Sequence, residues 1–500
     1  MSFDFLLSWT PILLIMVLAV GFKRQALEMA CWGTLYTAAL VLTWFQTPAT
    51  IVALALLDGV LTNLPLLLVI YSGMLLSGLL LETGSLARVA AWFAGLTRNP
   101  WHNVLLIAVG AGNFMEGAGI VAEPIIAPML QAAGVPGTGA AALSIAGYAG
   151  LMILELGGAI LTVLALVTGL EAVGLAHDVA LLSLPAALLM TYSIPWLLGR
   201  GSDFAIRWLP LTAVGLLAGG GALFAAHYVG GSIAGLLGGI TVITGLSLVG
   251  TYRWTLTPQL LRDMAPLLLL VVCLFAVNLF APLKQLATRT WPLAVSIVPG
   301  HIVRLQPLFS AYTYISLAYL TALAVTPDRS GAWANFRATN RRAWRPVTAM
   351  ALFGAAGQVI AYSGYQGDFT TVDPTRNIAL ILANGVVAAS GRFYPLFAPL
   401  IGWVGTFLTG YGTASIVLFG KLHVTTAERV GVSPSLLASG MAVGSAVGSI
   451  SSPLKIALAA PMCGAQGREG EILRRTIPLG IAVCLALGVI LWLLLGQLGG

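Results

Sequence analysis

Residues 110–124 read GAGNFMEGAGIVAEP, with two glutamates, Glu116 and Glu123, set among four glycines inside the apolar stretch 101–133. Glycine lets the backbone leave helical geometry and approach a neighbour closely. An ionised carboxylate in hydrocarbon costs on the order of 2.5–3.5 kcal/mol even on a lenient scale, so an acid placed there calls for a function. A related pattern recurs far downstream. Gly112-Asn113-Phe114-Met115-Glu116-Gly117-Ala118-Gly119 is matched by Gly405-Thr406-Phe407-Leu408-Thr409-Gly410-Tyr411-Gly412. Upstream of each, at nearly equal distance, Val69-Ile70-Tyr71-Ser72-Gly73 is echoed by Val359-Ile360-Ala361-Tyr362-Ser363-Gly364.

The surroundings place both stretches in a membrane. Only 8% of the 500 residues are charged and 58% are hydrophobic, with a mean hydropathy of +0.95. So few charges cannot clothe a water-facing surface, which excludes a soluble enzyme, a nucleic-acid binder and a disordered scaffold. The net charge of +7 is explained by basic cytoplasmic loops. Cys31, Cys273, Cys463 and Cys484 lie in apolar stretches without metal-ligand spacing and read as small core residues. The N-terminus has no basic region ahead of its first apolar stretch and is expected to be a retained helix, not a cleaved signal.

Apolar stretches able to span, or nearly so, run at 6–22, 28–45, 64–82, 138–173, 175–198, 206–226, 231–250, 264–282, 306–325, 346–363, 434–460 and 476–496. Stretches broken by Gly, Pro or polar residues run at 48–62, 101–133, 376–391 and 397–420, giving about 12 to 14 crossings in all. Basic residues fall on one side: Lys23, Arg24, Arg88, Arg98, Arg200, Arg207, Arg253, Arg262, Arg329, Arg337, Arg341, Arg342, Arg345, Arg468, Arg474 and Arg475. With that side cytoplasmic, the chain is a multi-pass protein of the plasma (inner) membrane with both termini outside. The basic segment 326–345 then reads as a linker between an N-terminal part, 1–325, and a C-terminal part, 346–500. The two matched stretches run in opposite senses across the bilayer. The expected fold is therefore an all-α polytopic membrane protein with two inverted repeats carrying broken or re-entrant helices, an arrangement typical of secondary transporters.

Several residues qualify for the site. Burial favours the neutral form of a carboxyl, so Glu116 reads as a proton carrier or, alternatively, as a loop acid that reaches water or an arginine. Glu123 lies about two turns on and could share its face, or be an ordinary acid at the start of a helix before Pro124. Glu155 is a second ionisable site or a packing partner. Asp58 reads as a helix end or cap. Lys455 follows Ser451-Ser452-Pro453, where freed backbone donors cradle an anion. It reads as the holder of a carboxylate or as a lysine snorkelling to the interface. Thr406, Thr409, Thr413 and Ser415 offer hydroxyls, and Asn113 an amide, unless they bond their own backbone. Gly117, Gly119, Tyr411, Gly412 and Ser452 complete the candidate substrate contacts. Tyr71 and Tyr362 could reach a substrate or sit at an interface belt, and His423 with Lys421 reads as a helix end. No cofactor and no metal site is suggested.

These residues resemble the L-lactate permease family of proton-coupled 2-hydroxy-monocarboxylate transporters. The resemblance rests on Phe114-Met115-Glu116-Gly117-Ala118 with Pro124, Tyr362-Ser363-Gly364, Pro399 to Gly410, Gly431-Val432-Ser433, Ser452-Pro453 and Gly467 to Arg475. It implies proton-coupled uptake of lactate, glycolate or a similar anion. It also implies scaffold and transport domains and an elevator-like motion. Three stretches depart from the family pattern: Ile120 to Glu123, Tyr148 to Glu155, and Leu454-Lys455. The resemblance thus implies a shared scaffold with a rewritten site.

The expected function is symport of a small organic monocarboxylate with protons. With Lys455 protonated and Glu116 ionised, the empty site is neutral. Anion plus proton keeps it neutral, whereas anion alone leaves a penalised negative charge. A sodium-coupled carboxylate or dicarboxylate carrier is the alternative, with a passive channel or a membrane-embedded enzyme using Glu116 and Glu123 as acid and base more distant. Expected partners are the anion, the proton (or sodium) and the lipid bilayer, with no nucleic acid; a homodimer is left open.

Overall fold

The computed structural model describes residues 3–22, 24–198, 207–250, 255–291, 293–326, 332–367 and 369–498. Lys23, Arg200, Arg253 and Arg329, used above for orientation, lie outside the described residues. Helices dominate. Among the described residues, eight are long and apolar enough to cross a membrane, or nine if the bent pair Pro434–Ser451 and Pro453–Cys463 is one span. Shorter apolar helices, such as Ala311–Val325, and the hairpin legs described below account for much of the difference from the 12 to 14 expected crossings. The sheet among the described residues is a two-stranded antiparallel ribbon, Leu293–Val295 with Val303–Leu305.

Two long helices lie side by side. Ala49–Glu82 is continuous through Pro65, so 48–62 and 64–82 are one element and not a broken stretch followed by a span. Its polar residues are absorbed by neighbours. Asn63 Nδ2 donates to Met350 O at 3.3 Å, and Asp58 pairs with His301. The partner helix, Ala332–Ala361, takes in most of the basic segment read as a linker. Gly59 and Gly354 set the backbones in contact, since a Cβ on either would overlap the other helix's carbonyl.

The remainder holds two similar units, each a helical hairpin followed by a broken helix. In the first, Pro100–Leu105, a wider π turn at Leu106–Ala111 and Gly112–Gly117 form one leg, and Glu123–Ala132 the other. The leg starts cleanly because the Asn99 side chain accepts the N–H groups of Trp101 and His102, with Pro100 at the first position. The break falls at 118–122, later than the 112–119 expected, and Gly119 turns it with φ +87°. Next comes Gly137–Ala149, an irregular stretch through 150–158, and Ala159–Thr168, so 138–173 is not one span.

In the second unit the legs are Ala398–Thr409 and Gly412–Val430, joined at Gly410 (φ +83°) and extended Tyr411. Residues 405–409 are thus helical and the break is narrower than expected. Pro434–Gly448 follows, then a break at 449–452 and Pro453–Ala459, with a 48° bend. Ser433-Pro434 and Ser452-Pro453 each cap and start a helix, the serine accepting an N–H three residues on. In both units a glycine brings the broken helix onto its hairpin: Gly147 against Ala108 O, Gly444 against Pro399 O.

The loop between the two strands reaches the first unit. His301 Nδ1 lies 2.8 Å from Asp58 Oδ2, and its Nε2 lies 3.2 Å from Leu166 O. Asp58 is therefore mid-helix and paired, not a cap. His423 is likewise mid-helix and buried, 3.1 Å from Tyr394 Oη and 2.8 Å from Phe419 O.

Candidate functional site

Four interruptions of helical backbone meet in the interior: the hairpin tips at 118–122 and 410–411, and the breaks at 150–158 and 449–452. Broken helices free backbone groups that must find partners, and the stitches between these four show where they go. Ser452 Oγ donates to Gly410 O at 3.1 Å, tying the second tip to its own unit's break. Ser449 Oγ lies 2.9 Å from Met152 Sδ, tying that break to the first unit's. Gly412 leaves room for the Met152 methyl, with which a Cβ would collide.

Lys455 and three glutamates occupy this junction. Lys455 is in the first turn of Pro453–Ala459, and its side chain is 16% exposed. Its Nζ lies 2.9 Å from Glu123 Oε1 and donates to Tyr148 Oη at 2.6 Å. It also stands 4.7 Å from the centroid of the Tyr148 ring, a cation–π distance. Tyr148 Oη passes its own hydrogen to Glu123 Oε1 at 2.5 Å. Glu123 is the first residue of its hairpin leg and buried, and its second oxygen has no hydrogen-bond partner among the described residues.

Glu116 ends the other leg, and its Oε1 accepts the Ala122 N–H at 2.7 Å across the tip. Glu155 sits in the 150–158 break, fully buried, with no hydrogen-bond partner on either oxygen among the described residues. Its Cγ packs where Gly235 has no side chain. Both feel the charge of Lys455. Lys455 is the one basic side chain that the described residues bring against these carboxyls. With all four ionised the cluster would carry an excess of two negative charges in a dry interior. It is neutral when Glu123 is ionised and the other two acids hold protons.

The sequence-derived site is thus partly assembled and partly dispersed. Glu116, Glu123, Glu155, Lys455 and Ser452 come together. The cation pairs with Glu123, however, and not with Glu116 as in the charge count above. Thr406 and Thr409 donate to backbone carbonyls of their own leg, Gly402 O at 3.4 Å and Gly405 O at 2.7 Å. Ser415 donates across the hairpin to Gly402 O at 2.8 Å, while Thr413 is buried in the first turn of its leg. Tyr411 and Gly412 form the tip beside Met152. Asn113 ties the first hairpin to the broken helix, its Nδ2 donating to Val109 O and Gly147 O. Gly117 and Gly119 serve close packing, against Leu236 and against Gly73 and Ile315.

Tyr148 and Met152 were not among the expected contacts. The available signal was the departure from the family pattern that the resemblance implied at Tyr148 to Glu155 and at the stretches holding Glu123 and Lys455. All three departures converge on one cluster. Among the described residues, no group of three or more His, Cys, Asp or Glu is arranged to hold a metal ion.

A family model described as L-lactate permease matches residues 4–259 and 257–497. The L-lactate permease of Salmonella typhimurium is 24% identical over 97% of this chain and 94% of its own length. The L-lactate permease of Escherichia coli K12 is 22% identical over the same shares. The glycolate permease GlcA of Escherichia coli K12 is 37% identical over 27% of this chain and 22% of its own. Among solved structures, the YdaH transporter of Alcanivorax borkumensis aligns over 86% of this chain and 85% of its own at 14% identity, with a TM-score of 0.44.

Proposed function

Because this chain belongs to the L-lactate permease family, we propose that it is a secondary transporter that carries a small organic monocarboxylate together with protons. The observation that supports this reading most is Lys455, the one cation that the described residues set beside three buried carboxyls where four helix breaks meet. An anion needs a positive partner to enter hydrocarbon, and Lys455 with the Tyr148 hydroxyl supplies one charge and two donors. One cation suits one carboxylate. A dicarboxylate would bring its second charge towards Glu116 and Glu155.

Protons enter through the acids. With Glu123 paired to Lys455, Glu116 and Glu155 are the groups that must gain or lose protons to keep the cluster neutral during a cycle. Glu116, whose Oε1 accepts the Ala122 N–H, is assigned the uptake of the coupling proton into the cluster. The two hairpin-plus-broken-helix units are read as inverted copies forming a transport domain. Ala49–Glu82 and Ala332–Ala361 are read as part of the scaffold on which it moves.

The test is uptake of L-lactate and glycolate by the purified chain in proteoliposomes under an imposed proton gradient. Uptake is expected for the wild type and lost, with counterflow retained, in Glu116→Gln. Gradient-driven uptake by Glu116→Gln at the wild-type rate overturns the assignment. Uptake driven by a sodium gradient and indifferent to a proton gradient replaces the proton with sodium.

A further inference from the structure

We infer that Glu123 is a tethered competitor: its carboxylate occupies, on Lys455 and Tyr148, the seat that the substrate carboxylate takes, and it yields that seat by accepting a proton. This deepens the transport reading above and rests on it. The geometry is that of a filled anion site. Lys455 Nζ at 2.9 Å and Tyr148 Oη at 2.5 Å both direct a hydrogen at the same oxygen, Glu123 Oε1. Those are the two donors a monocarboxylate would need, and neither has a second acid as partner among the described residues. The tether is short and local: Glu123 opens its helix directly after the 118–122 tip, so a small shift of that tip withdraws it.

The groups facing Glu123 come from every element around it: Glu116 from the first leg, Tyr148 from the broken helix, Glu155 from its break and Lys455 from the second unit. They fix the stoichiometry. If substrate displaces ionised Glu123 from Lys455, two anions share one ammonium beside two further acids. If Glu123 takes one proton as it leaves, the charge is unchanged. The proton comes from the aqueous face the anion came from, enters the cluster through Glu116 and comes to rest on a Glu123 oxygen. It returns to water on the opposite face when the anion departs and Glu123 pairs again with Lys455. One anion therefore moves with one proton, and the empty carrier returns with its cation already neutralised.

The experiment measures half-saturation for L-lactate in counterflow, with equal pH on both sides, at pH 6 and pH 8. The chains are the wild type, Glu123→Gln and Glu123→Asp, with binding by thermal shift as a second readout. In the wild type, half-saturation is expected to rise several-fold from pH 6 to pH 8, as ionised Glu123 competes. Glu123→Gln is expected to bind at least as tightly at both pH values and to lose gradient-driven accumulation. Glu123→Asp, which keeps the charge, is expected to keep the pH dependence. A wild type that exchanges lactate with the same half-saturation at both pH values overturns the inference while leaving the transport reading intact. So does a folded Glu123→Gln that binds no monocarboxylate, or one with the wild-type pH dependence. A wild type that moves no monocarboxylate under any gradient overturns the transport reading itself.

Discussion

Replacing Lys455 by Met removes the charge and keeps the apolar stem, so its effect reports the ion pair and not a cavity. In the wild type, the Glu123 carboxylate is buried and receives two hydrogen bonds, from Lys455 Nζ and Tyr148 Oη. Taking away one member of a buried pair leaves an uncompensated charge and costs about 3–5 kcal/mol. Tyr148 retains its bond to Glu123, which places the expected loss near the lower end, about 3 kcal/mol at pH 7. Removing the charge on the other side should restore the balance, so Lys455→Met with Glu123→Gln is expected to recover most of that loss. The assay is unfolding of the detergent-solubilised chain, followed by intrinsic tryptophan fluorescence, for both single variants, the double variant and the wild type. A Lys455→Met protein within about 0.5 kcal/mol of wild type, or a double variant no more stable than the single, refutes the claim that this pair holds the junction together.

Gly147→Ala would drive a methyl into the Ala108 carbonyl, which cannot rotate away, and is expected to cost about 1–3 kcal/mol of stability in the same unfolding assay. Gly220→Ala, whose Cβ meets open space in a helix, is the contrasting control and is expected to stabilise by up to about 1 kcal/mol. His301, in the loop between the strands, is pulled down by burial, but the hydrogen bond and charge of Asp58 outweigh this and raise its pKa above the ordinary value. Because the folded value lies above the unfolded one, the contribution of His301 is fully present below the unfolded pKa. It disappears as pH rises through the folded pKa. His301→Gln is therefore expected to lower the melting temperature more at pH 5.5 than at pH 9, and an equal loss at both would show that the charge of His301 plays no part.

Much of the architecture is legible in composition and glycine placement, because a chain this apolar has few ways to satisfy its backbone. Breaks near Gly119, Gly410 and Ser452 are signalled by Gly and Ser-Pro chemistry that acts locally. The signals mislead where a distant partner absorbs a polar residue. Asp58, Asn63 and Pro65 look like a broken segment, yet His301 and the backbone of Ala332–Ala361 satisfy the polar pair within one continuous helix. The reverse error occurs at 138–173, where the positive φ of Leu156, Gly157 and Gly158 interrupts what reads as a single apolar run. The carboxyls and Lys455 stand out by charge alone. Their pairing does not, since Tyr148 is 25 residues from Glu123 and 307 from Lys455, and only the folded chain puts the hydroxyl between them.

The helix Ala332–Ala361, at about 1.5 Å per residue, is about 45 Å long, against about 30 Å for a bilayer's hydrocarbon. Its surplus lies in the half that carries Arg337, Arg341, Arg342 and Arg345, with Trp333 and Trp344 more than half exposed and Arg337 and Arg345 stacked over them at 5.0 and 5.5 Å. Such a rod is suited to gauge depth, since guanidinium groups favour lipid phosphates and indole rings favour the glycerol level. Thinning the membrane or stripping it of acidic lipid would shift that gauge, and with it every element registered against Gly354.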